Sequence, residues 1–145
     1  MRIVIDTNVL FSALYDPAST PGRIILLAIE EKVELFAPAT VRDELERALR
    51  GKLRYSDDEW EATLSALPVE SVEGAIWEAF MERAKAAITD PDDAPVVALA
   101  LALQCGIVSG DNAFHPLRKR IVKTWKPRDL KSPARSPRPT RRKRA

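Results

Sequence analysis

The chain has one cysteine, Cys105, and one histidine, His115, among its 145 residues. A single thiol can neither close a disulfide within the chain nor build a Cys-rich zinc site, so a reducing, cytoplasmic setting is expected. A single histidine excludes a histidine base working with a histidine acid; followed by Pro116, His115 reads as a loop residue. Long apolar runs are missing too. The longest, Pro95 to Leu103, falls far short of the roughly 20 residues that cross a bilayer, and no membrane partner is expected. The N-terminal MRIVIDTNVLFSALYDP meets an acid before any long apolar stretch, which fits neither a secretory signal nor an Arg-rich transit peptide. There is no internal repeat.

What is present has the balance of one globular domain, 46% hydrophobic and 30% charged. The formal net charge of +2 conceals a division. Residues 126–145 hold nine Lys/Arg against one acid, a net +8, while residues 1–125 hold fourteen against twenty, a net −6. The two segments attract different partners. Beyond Lys126, PRDLKSPARSPRPTRRKRA has four prolines and no large apolar residue after Leu130, too little to bury for folding. A folded domain over 1–128 and a disordered basic tail over 129–145 are expected.

Apolar, β-branched RIVI (2–5) predicts a strand buried on both faces, followed by the polar triplet Asp6, Thr7 and Asn8. Thr20 and Pro21 read as N-cap and first position of a helix to Lys32. VELFA (33–37) predicts a second strand, and Pro38 opens a helix to Arg50 that Gly51 stops. Ser56 with Glu59 is a capping box for a helix across Trp60, Leu64 and Leu67, ended by Pro68. A helix over about 74–88 carries Ile76, Phe80 and Ala84 on one face. After DPDDAP comes a helix, 94–105, apolar nearly all round and therefore buried, which Gly106 ends. GIVSGD supplies a short strand finishing on Asp111, and IVKTW (121–125) a last one. Strands alternating with helices imply a parallel, helix-covered sheet whose C-terminal strand ends carry the site.

Four acids gain interest from that placement. Asp6 ends the first strand, though turn chemistry alone accounts for an Asp there. Glu44 flanks the helical stripe Val41, Leu45, Ala48 and Leu49, about 85° from its centre, with Glu46 as the nearest competitor. Asp93 is placed to N-cap the buried helix, with Asp92 competing, and Asp111 starts the turn of SGDN. Carboxylates crowded together repel, so such a cluster either raises pKa values or recruits a cation. All-oxygen donors favour Mg2+, Mn2+ or Ca2+ over Zn2+. Trp60, Trp77 and Trp125 read as core or partner-contact residues.

Taken together, IVIDTNVLFSAL, PATVRDELERAL, DPDDAPVVALALAL and GIVSGDNAF resemble the PIN domain family over roughly residues 1–130, closest to the branch of toxins in bacterial toxin–antitoxin pairs. The resemblance implies an α/β fold, a PIN-like three-layer α/β/α domain around a parallel sheet of four to five strands. It also implies that Asp6, Glu44, Asp93 and Asp111 form a metal site for Mg2+ or Mn2+, with Asn8 and Ser109 in support. Asp6 and Asp93 are expected as direct ligands, Glu44 and Asp111 as binding through water or orienting the nucleophile. Many relatives carry a further acid where this chain has Ala113, which bears on a second metal.

The implied activity is endonucleolytic hydrolysis of RNA, with metal-activated water attacking in line and leaving 5′ phosphates. An acidic body must draw nucleic acid through local cations, for which Arg118, Lys119, Arg120 and Lys123 are candidates, with the tail a further one. A cognate antitoxin and a homodimer follow from the resemblance. Two rivals stand beside this reading. One is a PIN scaffold that binds RNA or protein without turnover. The other is a phosphatase of the haloacid dehalogenase type, against which Asn8 stands where that class has its second Asp.

Overall fold

The computed structural model describes residues 1–110 and 122–130. Strand β1 (Arg2–Ile5) lies at the centre of a five-stranded sheet, and Ile3, Val4 and Ile5 are fully buried, as a strand covered on both faces requires. The other strands are β2 (Glu34–Pro38), β3 (Val69–Val72), β4 (Gly106–Val108) and β5 (Thr124–Trp125). Every pairing is parallel, and the order is β3-β2-β1-β4-β5.

That order has a consequence for the site. The chain steps outward from β1 through β2 to β3, then returns across the sheet to β4 on the other side of β1. Right-handed crossovers put the helices of the outward steps on one face and those of the return on the other. The layers are therefore helix, sheet, helix, and the strand order reverses between β1 and β4, where α/β sheets open a crevice at the carboxyl ends of their strands.

The outward face carries α1 (Thr7–Tyr15), α2 (Thr20–Ile29), α3 (Ala39–Lys52) and α4 (Asp57–Ala66). Helix α1 is absent from the sequence expectation, which stopped at a polar triplet; Asp6 is its N-cap, and Val9, Leu10 and Ala13 form its buried stripe. Ser19, not Thr20, caps α2, and that helix ends at Ile29 rather than Lys32. Gly51 does not stop α3, which continues to Lys52 before Leu53 caps it and Arg54 turns left-handed at φ 57°. The Ser56–Glu59 capping box is present in both directions.

The return face carries α5 (Gly74–Trp77), the 3-10 turn Glu78–Phe80, α6 (Met81–Ala87) and α7 (Ala94–Leu103). One continuous helix over 74–88 is thus replaced by three short pieces. Trp77 points inward and donates its indole N–H to the Val72 carbonyl at 3.0 Å, which leaves Ile76 exposed. Helix α7 is buried from Val96 to Leu101 and packs against β1, β2 and β4, as its all-round apolar sequence predicted. Its stop is Gln104 in the left-handed region, not Gly106. Gly106 serves another need: a Cβ there would lie 2.9 Å from the Lys123 carbonyl, so its bareness lets β5 come alongside β4. Strand β3, VESV, was not anticipated either. Among the described residues no helix is long and apolar enough to cross a membrane.

Candidate active site

The register between β1 and β4 pairs Ile5 with Val108, so the next residues, Asp6 and Ser109, leave adjacent strands side by side at the carboxyl edge. Asp6 is only 6% exposed and Ser109 1%. The Ser109 hydroxyl donates a short hydrogen bond to Asp6 Oδ2. Asp6 Oδ1 accepts the Val9 backbone N–H at 3.0 Å, the N-cap bond that starts α1. One carboxylate therefore terminates β1, nucleates α1 and bridges to β4. Its orientation is set by backbone and hydroxyl together. The Ser109 N–H in turn donates to the Trp125 carbonyl at 2.9 Å, fixing the serine from β5.

Glu44 enters from α3. The Thr7 hydroxyl, one residue beyond Asp6, donates to Glu44 Oε1 at 2.7 Å and draws this half-buried carboxylate toward the first turn of α1. Its competitor faces elsewhere: Glu46 accepts from Arg50 Nε at 2.8 Å, and Arg50 reaches on to Asp57 at 2.6 Å, an α3–α4 tie. Asp57 and then Glu46 raise the pKa of Arg50, keeping it charged. Thr7, as the donor that holds Glu44, is the contact that sequence reasoning passed over. The signal was an Asp cap followed by apolar residues at helical spacing, which places Thr7 as the first helical residue facing α3.

Asp93 occupies the N-cap position of α7, half-buried, yet its side chain makes no capping hydrogen bond. Capping chemistry falls instead to Asp90, whose carboxylate accepts the Asp92 N–H at 3.0 Å in the preceding 3-10 turn. Asp92 is exposed. Asp93 stands at the positive end of the buried helix, where an anion is favoured. Asn8 is exposed on the first turn of α1. Asp111, Ala113, His115, Arg118, Lys119 and Arg120 lie outside the described residues. Among the described residues no group of three His, Cys, Asp or Glu is close enough to hold a metal ion. The donor chemistry of Asp6, Glu44 and Asp93 is nonetheless that of a hard cation, since each offers only carboxylate oxygens.

Residues 4–132 match the family model described as PIN domain. This chain belongs to the PIN domain family. PIN domains are generally nucleases, so the chain sits within a nuclease family. A chain in the crystal structure of VapBC2 from Rickettsia felis, bound to a DNA fragment from its promoter, superposes on this PIN domain with a TM-score of 0.59. That match covers 87% of this chain and 98% of the other, and at 14% identity it speaks for the fold. An uncharacterized protein of Methanocaldococcus jannaschii, MJ1680, is 40% identical over 55 residues. The stretch is 37% of this PIN domain chain, which spans about a third (36%) of that relative's length.

Proposed function

We propose that this PIN domain is a metal-dependent endoribonuclease acting as the toxin of a toxin–antitoxin pair, with Asp6, Glu44, Asp93 and Asp111 holding Mg2+ or Mn2+. The observation that carries the reading is Asp6, a buried carboxylate clamped by Ser109 and the Val9 N–H at the sheet's switch point. Burying a carboxylate is costly unless hydrogen bonds or a cation compensate, and functional sites collect such groups.

In this reading the chain's own residues supply position. The Ser109 hydroxyl and Val9 N–H aim the Asp6 carboxylate, and the Thr7 hydroxyl turns Glu44 toward the same strand end. Asp93 opens α7 on the opposite face of the sheet. When bound, Mg2+ or Mn2+ supplies an activated water and positive charge against the scissile phosphate. Leu130 is 2% exposed and part of the core, so the basic tail that the sequence places from residue 129 is proposed to begin only after it; Arg118, Lys119 and Arg120 are assigned to the nucleic acid, and a second copy and an antitoxin to its assembly in the cytoplasm.

The test is cleavage of end-labelled single-stranded RNA by the purified full chain. Cleavage is expected with Mn2+ or Mg2+, none with EDTA, and recovery when excess Mn2+ is returned. Cutting that persists in EDTA refutes the metal assignment. No cutting of any RNA by folded, metal-supplied protein transfers the weight to a binding scaffold.

A further inference from the structure

Helix α4 is held to the domain unevenly. Its first turn is tied to α3 by Arg50, which reaches Asp57 at 2.6 Å, and its Trp60 is buried. Trp60, Leu64 and Leu67 recur at i, i+4 and i+7, so they form one apolar stripe. Toward the far end that stripe is incompletely covered, with Leu64 36% exposed and Leu67 half-buried. Between it and Val41 and Leu45 of α3, with Val69 of β3 in the lining, lies a cavity of about 380 Å³, its open mouth included.

Voids larger than a water are few in closely packed domains. Apolar walls hold no ordered water, which needs several polar partners. The lining has two polar side chains, Arg42 of α3 and Ser71 of β3, and both residues are exposed, which puts them at the mouth. The ion pair of Arg42 with the adjacent Asp43, 3.8 Å from Nε, is long and solvent-exposed and holds the guanidinium weakly.

These walls decide against several occupants. Among the described residues no acid lines the cavity, so it does not suit a cation. One arginine over apolar walls does not suit a chain of phosphates either. Residues 131–145 carry seven Lys/Arg, no acid and no large apolar side chain, so the chain's own end would meet Arg42 with like charge and fill nothing. The volume lies near the lower bound of small-molecule sites, about 300–1,000 Å³, which are apolar with a few placed polar groups. Trp60 offers an aromatic wall, and a guanidinium with a hydroxyl at the same mouth matches a carboxylate.

We infer that this cavity between α3, α4 and β3 is a binding site for a small aryl-alkyl carboxylate, its ring against Trp60 and its carboxylate on Arg42 and Ser71. None of Asp6, Glu44 and Asp93 lines it, and the inference does not rest on the nuclease reading.

The test titrates phenylpropionate, as the probe, into the isotope-labelled full chain while the tryptophan indole N–H resonances are followed. The Trp60 signal, identified by its loss in Trp60→Phe, is expected to move, while those of Trp77 and Trp125 stay. Arg42→Gln, at an exposed position, is expected to bind the probe about tenfold more weakly, and the wild type to bind neutral phenylpropionamide equally weakly. Leu64→Trp, which fills the mouth, is expected to keep the wild-type circular dichroism and to abolish the shift. A Trp60 signal that stays put at millimolar probe overturns the site. Unchanged affinity in Arg42→Gln, or an amide that binds as well as the acid, does the same. A peptide ending in phenylalanine with a free carboxylate, if it moves the same signal with affinity higher by about tenfold or more, assigns the cavity to a protein terminus and overturns the small-molecule site. RNA cleavage by the wild type, or its absence, bears on none of these outcomes.

Discussion

Asp6 carries structural and chemical duties that two substitutions separate. In Asp6→Ala the N-cap of α1 is lost, at about 0.5–2 kcal/mol. The Ser109 hydroxyl, 1% exposed, also loses its Asp6 acceptor, at about 1–3 kcal/mol. Together these destabilise by about 2–5 kcal/mol. With a urea dependence of about 1–3 kcal/mol per M, the unfolding midpoint should fall by about 1–2 M. Asp6→Asn differs in kind. Asn is as good an N-cap as Asp, its carbonyl oxygen can take the Val9 N–H, and the Ser109 hydroxyl can turn to accept from the amide. Stability should stay within about 1 kcal/mol of wild type, while the missing charge lowers metal-dependent RNA cleavage by about 100-fold or more. Urea unfolding followed by tryptophan fluorescence and cleavage rate, measured on the same preparations, give the two readouts. An Asn variant as unstable as the Ala variant would refute the capping and bridging account. A stable Asn variant with undiminished Mn2+-dependent cleavage would remove Asp6 from the metal site.

Two further outcomes follow from the same contacts. Thr7→Val removes the donor that holds Glu44 while keeping the side chain's shape, and should reduce cleavage by about tenfold with Thr7→Ser near wild type; equal activity of all three proteins would show that Glu44 needs no positioning. Leu99→Ala empties a fully buried position in the middle of α7. The cavity should cost about 2–5 kcal/mol and lower the melting temperature by about 5–15 °C, and a calorimetric shift under about 2 °C would mean that α7 is not the packed centre of the fold.

Much of the frame was legible because its causes are local. The β-branched run of β1 and the unbroken apolar sequence of α7 each permit only a buried element, and Ser56 with Glu59 announces a helix start. The family resemblance added the set of four acids and the fold. Elements whose existence depends on distant partners escaped. The four residues of β3 are a strand because β2 supplies the hydrogen bonds, and nothing within VESV demands it. Helix 74–88 broke into pieces because burying Trp77 against Val72 outweighed the continuous stripe of Ile76, Phe80 and Ala84. Helix α1 was in principle readable from its Asp cap and apolar spacing, yet the same residues also fit a turn.

By itself the sequence determined that Asp6 ends a buried strand and that an acid precedes α7. Only the tertiary structure shows how the partners of Glu44 and Glu46 differ, since helical periodicity fixes the face of a helix to within tens of degrees but cannot say what stands opposite. Thr7 stands opposite Glu44, and Arg50 takes Glu46. The pairing of Asp6 with Ser109 is likewise a product of parallel register across 103 positions of chain. Register is set by the sheet's hydrogen bonds and the burial of both its faces, which no local stretch of the sequence contains.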